Sequence, residues 1–499
     1  MELPLASAVI LIPLAAALVC GVVSPRLATV VGCVASALTV VAVAALSWRV
    51  WSFGVVVEPL GGWDAPLGIE LYADGFAVLM VAMTATVGFF ISIFSVGYFR
   101  GRSGSTNAPE HHRGFYWSLW LVVWSGLHGV FLSSDLFNMY VCMEVVGIGS
   151  VALVAIAGPL ALRAAMRYLL VTLCGSLLYL LGVALIYGGW GMLDVKALGF
   201  VVEATMTADV ALAVMTLGLV LKTALVPLHF WLPAAHANAP APVSALLSAL
   251  VVKASFFILV RLWLDVFGAV DTAAAMMVLA GLGTVAIVWG SVQAIRQARL
   301  KMLVAYSTVA QLGYLFVAFA PAATSAGADV AWHGMTYFVI AHGCAKAAMF
   351  LAAGTIATAL GDDHLSAMRG RGLQLVVPLF AFALAGISLM GLPPSGGYTA
   401  KWLFLTAAAR ADQPLVAVVV TAGGLLAALY VFKVIYYAFA QPAPGAAPSS
   451  VKKVPTTMVV APLLLAIIAV MLGLWSASPL ALSDVGLPFG DALSAGLDP

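Results

Sequence analysis

Long apolar runs recur from one end of this 499-residue chain to the other. A run of about 18 residues or more can cross the hydrocarbon core of a bilayer as a single helix. Charged residues make up only 8% of the chain, whereas soluble domains carry about 25%, so a water-soluble globular protein is excluded. The runs predict an all-α polytopic membrane protein with about 14 transmembrane helices. The predicted helices cover roughly 3–23, 27–50, 72–99, 115–133, 136–157, 162–188, 208–231, 240–264, 272–294, 301–320, 330–358, 373–410, 414–440 and 455–476.

The positions of basic residues predict how the chain lies in the membrane. The first predicted helix has no basic region before it and no clean small-residue cleavage site, so we expect it to be retained. Lysines and arginines are concentrated near the loops that follow odd-numbered helices, which the positive-inside rule assigns to the cytoplasm. Both termini are then expected on the non-cytoplasmic side of the cell (inner) membrane. The cytoplasmic set is Arg26, Arg100, Arg102, Arg113, Arg163, Arg167, Arg296, Arg299, Lys301, Arg369, Arg371, Lys452 and Lys453, against Arg49, Lys196, Arg261 and Arg410 on the other side.

The remaining five cations are all lysines inside apolar helices, and a single acid, Glu144, accompanies them. A charge at the centre of a bilayer is costly, so these residues must face one another, other helices or water. An arginine stays charged, whereas a buried lysine can release its proton. One acid cannot neutralise five lysines, which favours a chain of proton-exchanging sites over a static packing bridge. The lysines are Lys222, Lys253, Lys346, Lys401 and Lys433, of which Lys433 could instead extend towards the membrane interface.

Histidines extend this set of candidate proton carriers. His342 and Lys346 are four residues apart, so they share one face of a helix and can pass a proton between them. His229 and His236 follow Lys222 in the same stretch and are secondary candidates. Either histidine could equally be a packing residue that only forms hydrogen bonds.

Prolines interrupt two of the predicted helices. Pro227 follows Lys222, and Pro393 and Pro394 precede Lys401. Proline breaks a helix, and free backbone groups at membrane depth are tolerated only inside protein or beside water. Each break therefore predicts a hydrated internal pocket next to its lysine. Two interrupted helices at corresponding places indicate a transporter built from two inverted repeats.

The repeats give a prediction of the domain organisation. Residues 1–114 hold helices one to three, 115–268 the first five-helix repeat, 269–441 the second, and 442–499 the last helix and tail. In this register Lys222 corresponds to Lys401, and Lys253 corresponds to Lys433.

No cofactor or metal site is predicted. The five cysteines all fall inside predicted helices without a CxxC pair, which is typical of buried structural thiols. We find no phosphate-binding loop or dinucleotide fingerprint, and no nucleic-acid partner is expected. The chain is therefore not expected to be an enzyme by itself.

Several stretches resemble a known family. They are "DLFNMYVCMEV", "LKTALVPLHFWLPAAHANAPAPVSALLSALVVK", "LKMLVAYSTVAQLGY", "AHGCAKAAMF" and "GLPPSGGYTAKW". They are similar to the antiporter-like subunits shared by Mrp-type sodium/proton antiporters, respiratory complex I and membrane-bound hydrogenases. The resemblance implies an ion-paired Glu144 and Lys222, a central Lys253, a relay of His342 and Lys346, and a terminal Lys401. It also implies that other membrane subunits, protons and Na⁺ are the partners.

The resemblance leaves two functions open. Lys401 stands where complex I subunit M-like chains usually carry a glutamate, and the chain stops soon after helix fourteen, so the D subunit of Mrp antiporters is the most similar type. This implies a proton-translocating subunit of a monovalent cation (Na⁺)/proton antiporter. The alternative is a proton-pumping membrane subunit of a redox complex, of the NADH-quinone oxidoreductase subunit N or membrane-bound hydrogenase type. A purely structural subunit is a third hypothesis.

Overall fold

The computed structural model describes residues 4–65, 67–101, 111–270, 272–442 and 451–487. Arg102, most of the connectors "GRSGSTNAPEHHRG" and "QPAPGAAPSSVKK", and the last part of the tail lie outside the described residues. The α-helices are α1 Leu5–Val22, α2 Pro25–Phe53, α3 Gly75–Gly101, α4 His111–Leu132, α5 Leu136–Ala155, α6 Pro159–Trp190, α7 Val195–Val201, α8 Met206–Thr223, α9 Leu232–Asn238, α10 Ala241–Leu246, α11 Val252–Arg261, α12 Ala273–Arg296, α13 Leu300–Val317, α14 Phe319–Ala322, α15 Ser325–Leu360, α16 Val376–Met390, α17 Gly396–Arg410, α18 Pro414–Phe439, α19 Thr456–Leu474 and α20 Ala477–Ser483.

The all-α membrane fold predicted from the sequence is confirmed. Thirteen helical segments among the described residues are long and apolar enough to cross a membrane. The predicted twelfth helix is the pair α16 and α17, which are too short to count separately. Two π-helical turns, Leu247–Val251 and Leu262–Val266, flank α11 and join it with α10 into one span. Short 3₁₀ turns lie at Leu60–Gly62, Leu365–Met368 and Gly372–Gln374.

The helices pack around a centre made of α15 and the span from α10 to α11. These two segments are the most completely buried ones, whereas α1, α2, α18 and α19 leave apolar side chains exposed. Because lipid tails solvate such exposed faces, this second set is suited to line the outside of the bundle. Helix α15 has 36 residues, or about 54 Å of length, so it runs through the whole thickness of the bundle.

The sequence prediction is wrong between the second and third helices. The segment predicted from residue 72 begins later, at Gly75, and a small antiparallel hairpin precedes it. Strand β1, Val56–Pro59, pairs with β2, Glu70–Ala73. Asp74 then begins α3 by accepting a hydrogen bond from the backbone N–H of Ala77 at 2.9 Å.

Both predicted helix breaks are present, and short-range features define them. Helix α8 ends at Thr223 because Ala224 takes the left-handed conformation with φ 62°. Helix α16 ends at Gly391 in the same conformation with φ 80°. Ser395 then starts α17 by accepting a hydrogen bond from the backbone N–H of Tyr398, which is the usual role of an N-cap serine.

Candidate functional site

The predicted ion pair between Glu144 and Lys222 is formed inside the bundle. Lys222 Nζ on α8 lies 3.1 Å from Glu144 Oε1 on α5. The hydroxyl of Ser176 on α6 contacts both groups, accepting from Lys222 and donating to Glu144. Three helices therefore meet at one charged, hydrogen-bonded cluster. A buried pair of this kind is strongly disturbed when one partner is removed, because the other charge is left uncompensated.

Small residues allow α6 and α8 to approach closely at this pair. A Cβ atom added at Gly175 would come within 2.8 Å of the Gly218 carbonyl oxygen and within 2.8 Å of Lys222 Cγ. The absence of a side chain at Gly175 therefore creates the space across which Lys222 reaches Ser176 and Glu144.

A small cavity leads from Lys222 towards the helix that carries Lys253. Its volume is about 20 Å³, which is enough for one water molecule. It is lined partly by Tyr168 and Thr172 on α6, Lys222 on α8 and Ser255 on α11. Beside it, the hydroxyls of Thr223 and Ser255 are hydrogen-bonded at 2.8 Å. Polar groups thus connect the pair to α11.

Lys253 lies at the fully buried centre of α11. Its ammonium donates to the backbone carbonyl of Ser248, in the π-helical turn Leu247–Val251. Such turns occur often at functional sites. Within the described ranges, no carboxylate forms an ion pair with Lys253. Its positive charge therefore has only dipolar partners.

The predicted pair on α15 lies next to Lys253. Lys346 Nζ donates to the hydroxyl of Ser307 and, at 3.3 Å, to the carbonyl of Val304, both on α13. His342 is stacked on Phe338 with ring centroids 5.4 Å apart, and neither ring nitrogen has a protein partner. A buried imidazole without protein partners is a site where ordered water is expected.

His342 also connects the centre of the bundle to Lys401. The charges of Lys253, Lys346 and Lys401 are all near enough to interact with its ring. Lys401 Nζ donates to the carbonyls of Leu389 at 2.8 Å and Met390 at 3.3 Å. These carbonyls end α16 at the second break, where a helix dipole is negative and favours a cation.

The aromatic ring of Tyr314 completes the surroundings of Lys401. The ammonium lies 4.2 Å from the ring centroid, a distance at which a cation is attracted to the face of an aromatic ring. The second break therefore supplies carbonyl oxygens to its lysine, and α13 supplies the ring.

The secondary candidates differ from one another in position. His236 is completely buried, stacks on Phe350 at 4.7 Å and has no protein partner on either ring nitrogen. Its ring lies close enough to Lys301, Lys346 and Lys253 to interact with their charges. His229 is only half-buried, in the irregular stretch between α8 and α9. His236 thus joins the central group, whereas His229 lies at the first break.

Lys433 lies apart from the row. Its ammonium donates to the carbonyls of Ile295 and Gln297, each at 2.6 Å. These carbonyls belong to the C-terminal end of α12, so Lys433 caps that helix. Its surroundings differ from those of Lys253, although the two residues were matched in the predicted repeats.

The match between Lys222 and Lys401 also differs from the structure. Lys222 is in the last turn of α8, before the first break, whereas Lys401 is inside α17, after the second. Pro227, Pro393 and Pro394 are exposed at the surface of the bundle. The prediction that the prolines themselves line an internal pocket is therefore wrong, and it is the neighbouring helix ends that face inwards.

Two basic residues that were assigned to loops are buried. Lys301 is at the start of α13 and donates to the carbonyl of Ala239. Arg261 ends α11 and forms ion pairs with Asp74 at 2.6 Å and Asp265 at 3.0 Å. Asp265 stands four residues after Arg261 and could have indicated this pair, but Asp74 is 187 residues away in the chain.

Comparison with known proteins identifies the family. Residues 133–427 match the family described as "NADH:quinone oxidoreductase/Mrp antiporter, TM", and residues 61–107 match "NADH-Ubiquinone oxidoreductase (complex I), chain 5 N-terminus". The chain is 33% identical to NADH-quinone oxidoreductase subunit N of Desulforudis audaxviator, over 84% of either chain. It is 31% identical to the D subunit of the Na(+)/H(+) antiporter of Alkalihalophilus pseudofirmus, over 79% of this chain and 78% of the relative.

A solved structure supports the same assignment. A chain of the Mrp complex from Dietzia sp. DQ12-45-1b superposes with a TM-score of 0.86 and 25% identity, over 96% of both chains. The apolar spans and these likenesses establish an antiporter-like, multi-pass membrane subunit. The chain belongs to the family of membrane subunits that NADH:quinone oxidoreductases and Mrp antiporters share.

Proposed function

We propose that the chain is the proton-translocating subunit of a multi-subunit monovalent cation (Na⁺)/proton antiporter. The observation that carries this proposal is the buried row from the Glu144–Lys222 pair to Lys401. Within the described part of the chain, four buried lysines along this row share one carboxylate partner. Hydroxyls, histidine rings and backbone carbonyls provide their other contacts. Such a row can accept and release protons in sequence.

The Glu144–Lys222 pair acts as the first switch in this proposal. When the pair is closed, the carboxylate favours the charged form of Lys222. When the two groups separate, that support is lost and the proton is released towards Lys253. Ser176 contacts both groups, so its hydroxyl can stay bonded to one of them during the separation. The two residues titrate as a coupled pair.

The centre of the row works by repulsion between like charges. Lys253, Lys346 and Lys401 all interact with the ring of His342. A proton that arrives on one of these groups disfavours a second proton on its neighbours. Arrival at Lys253 therefore promotes release further along the row. Lys401 ends the row, where the carbonyls of α16 hold its ammonium.

The row also sets expectations for the surroundings of the chain. We infer that it lies in the cell (inner) membrane with both termini on the non-cytoplasmic side. Its partners are other membrane subunits of a hetero-oligomeric complex, since the relatives are named as subunits. The chain itself binds no cofactor in this proposal, and catalysis of a redox reaction is left to other subunits.

A second candidate function has a specific observation in its favour. The 33% identity to an NADH-quinone oxidoreductase subunit N extends over most of both chains. In that case the same residues move protons, and a redox reaction in neighbouring subunits drives them instead of a cation gradient.

Purification of the tagged chain from its native membrane tests these alternatives. The co-purifying subunits are identified by mass spectrometry, and iron, nickel and flavin are measured in the same preparation. Small hydrophobic subunits with a second antiporter-like chain, without iron, nickel or flavin, support the antiporter. Soluble iron–sulfur, flavin or nickel subunits contradict it and favour the redox-driven complex. Reconstitution into vesicles then shows whether an Na⁺ gradient drives proton movement.

A further inference from the structure

One face of α11 changes from a titratable residue to a permanent charge within two turns. Lys253, Phe257 and Arg261 follow one another at intervals of four residues, so they form one row on the helix surface. Lys253 and Arg261 are separated by about 12 Å along the helix axis. The phenylalanine lies between the two cations.

Arg261 is held firmly at its end of the row. Its guanidinium contacts Asp74 at 2.6 Å and Asp265 at 3.0 Å, and all three side chains are buried. Asp74 begins α3, and Asp265 lies in the π-helical turn that follows Arg261. Lys196 on α7 is near enough for its charge to interact with Asp265. The cluster therefore lies at the end of the bundle that carries the β-hairpin and the loop after α11.

Four buried rings separate this cluster from Lys253, and we call them the aromatic layer. Phe257 lies 4.9 Å from Phe76 on α3 and 5.2 Å from Phe131 on α4, between ring centroids. Phe76 lies 5.0 Å from Trp332 on α15. The guanidinium of Arg261 covers the layer, 5.0 Å from the ring of Phe257 and 5.6 Å from that of Phe76.

The chemistry of this arrangement opposes the passage of protons. The rings of phenylalanine can neither accept nor donate a proton, and a tightly packed apolar constriction excludes the water that would carry one. Arginine keeps its charge in protein surroundings and so repels an approaching cation. A row of proton sites that is open to both sides of a membrane would dissipate the gradient that it is built to use.

We propose that the aromatic layer and Arg261 form a seal that blocks proton passage between Lys253 and the non-cytoplasmic side. The seal forces protons to leave Lys253 along the row towards His342 and Lys401. The inference rests on the proposed function, since a seal is needed only where Lys253 carries protons.

Passive proton leak into vesicles tests the seal. The purified complex is reconstituted, and a potassium diffusion potential drives protons while Na⁺ and any redox substrate are absent. Phe257→Ala opens the layer and is expected to raise the leak several-fold over that of the wild type. Phe256→Ala is the matched control, because Phe256 is equally buried on the same helix but packs on Phe316 and Phe319. It is expected to leave the leak unchanged.

Each outcome of this experiment is decisive. A tight Phe257→Ala complex overturns the seal, and so does a Phe256→Ala complex that leaks equally. If Phe257→Ala does not assemble, Phe131→Ala opens the same layer from α4 under the same criteria. Adding Lys253→Met to the leaking variant is expected to stop the leak, and a leak that persists contradicts a seal that protects Lys253. A wild-type complex without driven proton movement would refute the proposed function alone, because the leak is measured without a driver.

Discussion

Lys253 and Arg261 lie two turns apart on α11, and in the part of the chain that the structure describes only Arg261 has carboxylate partners. The arginine joins α3 to α11 through Asp74, so its charge is structural. The lysine is bonded to a backbone carbonyl, so its charge is not fixed by a partner. The same helix thus carries one cation suited to hold the fold and one suited to exchange protons.

Lys222→Arg is predicted to abolish transport while the complex still assembles. Arginine preserves the ion pair with Glu144 but cannot release a proton. Proton movement into vesicles, together with subunit composition, measures the two properties separately. Lys433→Arg is the matched control, because this lysine caps α12 outside the row. Full transport by Lys222→Arg would contradict proton release from this position.

Ser176→Ala is predicted to slow transport without preventing assembly. The variant removes the hydroxyl that contacts both Lys222 and Glu144, and one hydrogen bond is worth about 1 kcal/mol, or roughly fivefold in rate. Transport is measured as the initial rate of proton movement. Ser36→Ala removes a buried hydroxyl on α2 that is bonded to Ser92, far from the row. Equal effects of the two variants on the rate would show that Ser176 has no special role.

Gly391→Ala is predicted to abolish transport by displacing Lys401. A Cβ atom at this position would lie 2.5 Å from Lys401 Cδ. Gly361→Ala is the control, because its φ of 74° is just as unfavourable for alanine but its Cβ atom would meet nothing within 4 Å. Both variants therefore carry a backbone cost of about 1–2 kcal/mol, visible as a lower Tm. Transport losses of the same size in both would indicate backbone strain rather than loss of the lysine's position.

Much of the fold follows from the sequence because a bilayer restricts the choices. Each long apolar run becomes a helix, since no other single segment satisfies its backbone groups in lipid. The breaks were also predictable, because proline acts locally. The β-hairpin before α3 was not, since its two strands have only four residues each and carry no periodic signal.

The site was predictable by residue type but not by contact. Glu144, Lys222 and Lys401 are conspicuous because charge is rare in apolar helices. Ser176 and Tyr314 are ordinary residues in the sequence, and only the packing of α6 and α13 brings them to the lysines. Arg261 was assigned to a loop because its partner Asp74 comes from a distant part of the chain. Lys433 was matched to Lys253 although it caps a helix end.

Replacement of Lys253 by methionine tests the central claim most directly, with Tm and transport measured on the same purified complex. Methionine fills a similar space and removes a buried charge that has no anionic partner, a change that is often neutral or stabilising. The account predicts an unchanged or higher Tm together with complete loss of proton movement. A Lys253→Met complex that transports protons at the wild-type rate would contradict proton transfer through this lysine.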